Sequence, residues 1–129
     1  MQVIYHKDVA HQSFPGGATY QTLVGDESGS TPVRLGIQTS EPGYETPYHS
    51  HPYTEILTIV SGHGEAWGEG FDGMVGLAPG MTLVLPAGKP HAFRVTGDAP
   101  LVTHGIHTSP QRIVEVHRPA PERPANKPG

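Results

Sequence analysis

Short apolar runs that end at glycine or proline constrain this sequence more than any other feature. Gly (17) and Pro (14) together supply 31 of the 129 residues. No window keeps apolar residues at the i, i+3, i+4 and i+7 positions of an amphipathic helix for the roughly 11 residues that would matter. The β-branched residues gather instead in short stretches, separated by turn-forming pairs such as Asp72-Gly73, Pro79-Gly80 and Gly97-Asp98. This pattern predicts a chain of many short strands.

Ten such stretches are predicted to be strands. Since no helix is available for a crossover connection, the strands are expected to pair antiparallel. Many short antiparallel strands form a two-sheet sandwich or a barrel, so we predict an all-β fold. The predicted strands cover residues 20–24, 33–39, 48–51, 55–61, 65–69, 74–77, 81–85, 91–95, 101–107 and 112–116.

The chain is predicted to form one domain, because 129 residues suffice for a single compact core. Residues 20–117 are assigned to the barrel, and residues 1–19 to an N-terminal arm or an edge strand. Residues 118–129 contain four prolines and almost no apolar side chain. They are therefore predicted to be a disordered tail.

Composition excludes several classes of site and partner. Without cysteine, the chain has no disulfides, thiolate metal sites, iron–sulfur clusters or cysteine nucleophiles. The net charge of -4 and the scattered Lys and Arg residues argue against binding to nucleic acid or to a membrane surface. No apolar stretch approaches the ~18 residues of a membrane span, and residues 1–13 lack the apolar block of a signal peptide. We therefore expect a cytoplasmic protein.

Histidines at short spacing suggest a metal site. His49 and His51 lie two positions apart, so on a strand their side chains point to the same face. Glu55 has the same parity and shares that face if the extended backbone continues past Pro52. His91 begins a later predicted strand, and antiparallel pairing could return it to this face. Imidazole and carboxylate groups together suit divalent transition metals.

Two blocks around these residues resemble the signature motifs of the cupin superfamily. The first, G-x5-H-x-H-x3-E-x6-G, is matched by Gly43, His49, His51, Glu55 and Gly62. The second, G-x5-P-x-G-x2-H-x3-N, is matched by Gly80, Pro86, Gly88 and His91, with Val95 in place of its final Asn. The resemblance covers about residues 20–117. It implies an antiparallel double-stranded β-helix, or jelly-roll barrel, that binds one divalent transition metal (Fe, Mn, Ni or Zn) through His49, His51, Glu55 and His91.

Three kinds of function fit such a centre. With one carboxylate, a divalent ion keeps a local charge of +1 and favours a small anionic or enolisable molecule. Redox iron gives dioxygenase chemistry, whereas non-redox Mn, Zn or Ni gives isomerase, decarboxylase or lyase chemistry through an enolate. A non-catalytic small-molecule-binding domain is the third possibility. The complete ligand set favours an Fe(II)-dependent dioxygenase as the leading hypothesis.

Apolar residues on the ligand strands are candidates for a substrate pocket. Leu57 and Ile59 share parity with Glu55, and Phe93 and Val95 share parity with His91. These four side chains are expected to line the barrel beyond the metal. The alternative is that they are ordinary barrel core.

Three further residues are candidate catalytic groups. His104 and His107 have opposite parity on one predicted strand, so at most one of them points inward and can act as a general base. Arg34 could pair with a substrate carboxylate. The alternative for all three is a structural or solvent-exposed role. We also expect a homodimer, because a small barrel with an additional N-terminal strand tends to pair its edges between chains.

Overall fold

The computed structural model describes residues 1–125 and confirms the all-β prediction. In this part of the chain, helical structure is limited to one 3-10 turn at His6–Asp8. No helix among residues 1–125 is long and apolar enough to cross a membrane. The strands are β1 (Gln12–Phe14), β2 (Ala18–Val24), β3 (Arg34–Ser40), β4 (His49–Ser50), β5 (Glu55–Ser61), β6 (His63–Gly68), β7 (Val75–Leu77), β8 (Thr82–Leu85), β9 (His91–Thr96), β10 (Leu101–His107) and β11 (Glu115–Val116).

The strands form two antiparallel sheets. The six-stranded sheet has the order β1-β2-β3-β10-β5-β8, and the five-stranded sheet has the order β11-β4-β9-β6-β7. Neighbours in both sheets are often far apart in sequence, as expected for a jelly roll and not for a simple meander. β5 and β10 have the predicted limits, and the other predicted strands begin or end within three residues of theirs.

A cluster of buried apolar side chains joins the two sheets. Ala18, Ile59 and Leu101 come from the six-stranded sheet, and Leu77 and Val95 come from the five-stranded sheet. Leu101 is fully buried. Burial of one such leucine stabilises a fold by about 1.5–3 kcal/mol, so this cluster holds the sheets face to face.

Turns that require glycine position the strands with the histidine motifs. Gly62, between β5 and β6, has a φ of +81°, and a Cβ there would overlap the carbonyl oxygen of Pro100. Only glycine adopts such a position without strain. Gly88, before β9, has a φ of +75°, and its N–H donates to the carbonyl oxygen of His51 at 2.8 Å. This bond ties the turn before β9 to the end of β4.

The first and the last strand of the described chain are both part of the sheets. β1 pairs with β2, and β11 pairs with β4. The edge strands are β1 and β8 in the six-stranded sheet, and β11 and β7 in the five-stranded sheet. The expected homodimer would pair such edges between chains, and it stays a prediction. Residues 118–125 form no strand, but Arg123 lies 5.4 Å from the ring centre of Trp67 and ion-pairs with Glu45. Residues 126–129 of the predicted tail lie outside the described residues, and the disorder of the tail stays a prediction.

Candidate metal centre

Four imidazoles and one carboxylate meet inside the sandwich; together they are called the histidine–glutamate cluster. His49 lies on β4 directly opposite His91 on β9, and His107 at the end of β10 lies opposite Glu55 at the start of β5. His51 follows β4 and lies between the two pairs. The donor atoms of His49, His51 and His91 lie within 4.8 Å of one another, as do those of His51, Glu55 and His107. The cluster could therefore hold a metal ion.

The two groups share His51, which brings all five side chains together. The ring centres of His49 and His91 are 4.5 Å apart, and those of His51 and His107 are 4.9 Å apart. The Glu55 carboxylate lies 3.7 Å from Nε2 of His51 and 3.3 Å from Nε2 of His107. Sequence parity grouped His49, His51 and Glu55, and the resemblance to the cupin motifs added His91. The fold brings these four side chains together and adds His107 as a fifth member.

Backbone carbonyl groups fix the proton on three of the imidazoles. A carbonyl oxygen only accepts hydrogen bonds, so a ring nitrogen that contacts one must carry the proton. In each of the three rings this nitrogen is Nδ1, which leaves the Nε2 lone pair free for a metal. The bonds run from His49 to Pro47 (2.6 Å), from His51 to Ile113 (2.6 Å) and from His91 to Lys89 (3.2 Å). The donor set therefore fits a divalent transition metal.

His107 differs from the other three histidines in its Nδ1 partner. Its Nδ1 lies 2.5 Å from the hydroxyl of Tyr53, which also accepts a hydrogen bond from the N–H of Ile113 at 3.2 Å. A hydroxyl can donate or accept. His107 can therefore present an Nε2 lone pair to a metal, or an Nε2 proton to the carboxylate of Glu55. This choice suits a group that holds or moves a proton.

Burial keeps the histidine–glutamate cluster close to neutral. It lowers the pKa of His49 to about 4 and the pKa values of His91 and His107 to about 3. The pKa of His51 is also lowered by burial. Burial raises the pKa of Glu55 to about 7, because it removes the water that would solvate the charged carboxylate. At neutral pH the imidazoles are unprotonated, as metal binding requires.

The cluster lines a cavity of about 110 Å³, called the site cavity. Leu57 and Phe93 line it as well, together with Leu85 of β8. Ile59 and Val95 do not line it; two positions further along the same strands, they pack in the core cluster between the sheets. Their parity was suitable, but they lie beyond the depth at which the cavity ends.

A second cavity, of about 420 Å³, lies beside the site cavity. Leu57, Leu85, His91 and Phe93 line both cavities and form the wall between them. Trp67 lines only the second cavity, so its ring does not contact a ligand at the histidine–glutamate cluster from within the site cavity.

The two remaining candidates from the sequence lie outside the site cavity. His104 is half-buried and does not line it, since its parity is opposite to that of His107. Arg34 is buried and engages the protein itself, through an ion pair with Glu27 (3.6 Å) and a hydrogen bond to Thr22 (3.0 Å). The arginine that does line the site cavity is Arg112, which sequence reasoning did not single out.

Comparison with known proteins identifies the family. A family model described as a cupin domain matches residues 36–107. The chain belongs to the cupin family. No curated protein matches this cupin significantly. The Asn that ends the second motif is Val95 here, and this side chain packs in the core and not at the histidine–glutamate cluster.

Several solved structures are similar to this cupin. The polyketide cyclase RemF from Streptomyces resistomycificus has a TM-score of 0.78 and 19% identity, with 96% of this chain and 89% of that chain covered. A predicted oxalate decarboxylase from Thermotoga maritima has a TM-score of 0.73 and 18% identity, with coverage of 82% and 97%. A cupin-like protein from the same organism has a TM-score of 0.67 and 29% identity, with coverage of 78% and 75%. At these identities, the first two likenesses show the fold alone.

Proposed function

We propose that this cupin is a metal-dependent enzyme that acts on a small anionic or enolisable molecule. One observation carries the proposal: three buried imidazoles have their Nδ1 protons committed to backbone carbonyls, so three Nε2 lone pairs are free beside one buried carboxylate. A purely structural cluster has no need for that arrangement. The proposed ligands are His49, His51, Glu55 and His91.

Each part of the site has a role in this proposal. When bound, a divalent ion would supply Lewis acidity, and iron would add redox chemistry. The carbonyl bonds would hold the imidazole planes in place, and the apolar side chains of Leu57 and Phe93 would exclude water from the substrate. His107, at 3.3 Å from Glu55, would hold or move a proton at its Nε2.

The position of His107 favours proton-transfer chemistry with a non-redox metal. A general base must lie within reach of the substrate proton, and His107 lines the site cavity, whereas His104 does not. Isomerase, decarboxylase and lyase reactions of enolisable acids all need such a group. The named activities of RemF, a cyclase, and of the Thermotoga maritima protein, a predicted decarboxylase, are compatible with this class.

An Fe(II)-dependent dioxygenase is the second candidate. The apolar wall of Leu57, Leu85 and Phe93 supports it, since dioxygen and an aromatic substrate both partition into apolar surroundings. This candidate gives His107 no necessary part in proton abstraction, which makes the two candidates separable.

Metal analysis combined with isotope exchange tests the proposal. Untagged protein is purified anaerobically without chelators, assayed by elemental analysis, and loaded with zinc, manganese, nickel or iron. Each form is then incubated in D2O with phenylpyruvate, an enolisable keto acid, and both C–H exchange and oxygen uptake are recorded. We expect one metal per chain, exchange without oxygen uptake, and loss of exchange in His107→Gln.

His104→Gln is the matched control, because it removes an imidazole from the same strand outside the site cavity, and it should retain exchange. Oxygen uptake by the iron form without exchange would support the dioxygenase instead. Failure to bind any metal after loading would overturn the proposal as a whole.

A further inference from the structure

A second polar group lies in the site cavity apart from the proposed metal ligands. Arg112, in the segment between β10 and β11, lines the cavity, and its guanidinium carbon is 4.9 Å from the ring centre of Phe14. The Phe14 ring in turn stacks on Tyr20, at 5.7 Å between ring centres, and Tyr20 also lines the cavity. Phe14 therefore contacts both of these polar side chains that line the cavity.

Arg112 has no carboxylate partner in the part of the chain that the structure describes. The ion pairs among residues 1–125 involve Arg34, Arg94, Arg123, Lys89 and two histidines, and none involves Arg112. Its cationic fork is thus available to an external anion. The Arg112 charge also reaches the histidine–glutamate cluster: burial raises the pKa of Glu55, and Arg112 opposes that rise.

Tyr20 offers an uncommitted proton at the same cavity. Its side chain is 5% exposed, and its hydroxyl oxygen is buried without a hydrogen-bond partner among the described residues. The neighbouring Arg34 has only donors, so it can approach the Tyr20 oxygen but cannot accept the phenol proton. Burial also raises the pKa of Tyr20, so the phenol stays protonated at neutral pH. A buried donor without an acceptor is costly unless a ligand completes it.

Gly36 is what lets the phenol reach this position. A Cβ at Gly36 would overlap the Tyr20 hydroxyl, so any larger residue would displace the ring. Gly36 itself lines the site cavity on β3. Gly36 therefore leaves space on the barrel wall for the Tyr20 hydroxyl, a donor that has no hydrogen-bond partner among the described residues.

We propose that Arg112 and Tyr20 form an anion subsite that recognises a carboxylate of the substrate, while another oxygen of the substrate faces the metal. The inference rests on the proposed function, because the second oxygen needs the metal centre. One guanidinium fork and one hydroxyl match the two oxygens of a carboxylate, whereas a phosphate presents more oxygens and more charge than this pair would satisfy. The substrate class is a carboxylic acid that carries a second oxygen function.

Benzoate is the probe for this subsite, and benzyl alcohol is its neutral counterpart. Each is titrated by calorimetry or NMR into chelator-stripped, metal-free protein at low ionic strength. We expect benzoate to bind one site per chain and benzyl alcohol to bind at least about 10-fold more weakly, because a charge-assisted bond is lost. Arg112→Gln should weaken benzoate at least about 10-fold, Arg112→Lys less, and Tyr20→Phe several-fold. Lys7→Gln, which removes the same charge on an exposed residue of the 3-10 turn, should bind as the wild type does.

Each other outcome has a defined meaning. Benzoate binding that is absent in the wild type, or unchanged in Arg112→Gln with a wild-type circular dichroism spectrum, would overturn the subsite. Tighter Arg112-dependent binding of inorganic phosphate than of benzoate would overturn the carboxylate assignment. Elemental analysis of metal-loaded Arg112→Gln separates the anion subsite from the proposed metal-dependent function. A variant that takes up full metal but no longer binds benzoate supports both proposals. A wild type that binds benzoate but takes up no metal supports only the subsite.

Discussion

The pH dependence of metal binding should be set by Glu55. In the metal-free protein, the pKa of Glu55 is raised by burial from 4.5 to about 7, while His49, His91 and His107 titrate at about 3 to 4. Between about pH 5 and pH 7 these three imidazoles are therefore already unprotonated, and among these four groups a proton competes with the metal at the carboxylate. Zinc affinity should rise with pH, by about 10-fold per unit up to a pH near 7, and then level off. Over two units this is about 100-fold, or ~2.7 kcal/mol.

The measurement is the apparent dissociation constant of zinc across that range, in competition with a chelator of known pH dependence. Glu55→Gln keeps the shape of the side chain but removes the titrating group. It should bind zinc more weakly above about pH 7 and lose most of the pH dependence below it. A wild-type affinity that is flat from about pH 5 to pH 8, or a Glu55→Gln variant with the wild-type slope, would refute the reasoning.

Four further predictions address the fold and the ligands. The metal-free protein should lose stability, measured by thermal unfolding, as pH falls from about 6.5 towards 4. The four cluster histidines have lowered pKa values in the folded state, so protonation in this range favours the unfolded state. The raised pKa of Glu55 has the opposite effect, but four groups outweigh one. A melting temperature that is flat over this range would contradict that balance. Zinc at about 100 times its dissociation constant should stabilise the wild type by ~2.7 kcal/mol by mass action. His51→Ala should lose most of this stabilisation. Equal zinc-induced shifts of the melting temperature in the two proteins would exclude His51 as a ligand. Gly36→Ala should lower the free energy of unfolding in urea by about 1–3 kcal/mol, because the added Cβ overlaps Tyr20. Gly76→Ala, whose Cβ on β7 meets open space, should lower it less. Similar losses in the two variants would show that the Tyr20 ring relocates freely. Leu101→Ala, which truncates a fully buried side chain, should cost about 2–5 kcal/mol, against about 0.5 kcal/mol or less for the exposed Val84→Ala; equal urea midpoints would contradict the packing of the core cluster.

The parts of the fold that sequence reasoning captured are those that depend on local pattern. The limits of β5 and β10 follow from β-branched runs that end at turns. The two-residue spacing of His49 and His51 likewise fixes their common face, whatever strand lies beside them. The resemblance to the cupin motifs then supplied His91, which local parity alone could not attach to the same face.

The parts that it missed depend on which strands become neighbours. β10 pairs with β5 although 39 residues separate their nearest ends in the sequence (Ser61 to Leu101), and this pairing sets His107 opposite Glu55. Parity indicated that at most one of His104 and His107 faces inward, but it could not say which. The alternation of side chains along one strand does not determine which strands become its neighbours in the sheet. The depth of the cavity, which excludes Ile59 and Val95, is likewise a property of the assembled sheets.

The segment between β10 and β11 shows how these non-local choices converge on one short piece of chain. The carbonyl of Ile113 fixes the proton of His51, and its N–H donates to Tyr53, which in turn contacts His107. The preceding residue, Arg112, lines the site cavity. A displacement of this segment would therefore alter a proposed metal ligand, a candidate base and the anion subsite together. Variants that weaken the pairing of β11 with β4 should reduce metal affinity and benzoate binding in parallel, although no residue of β11 belongs to either site.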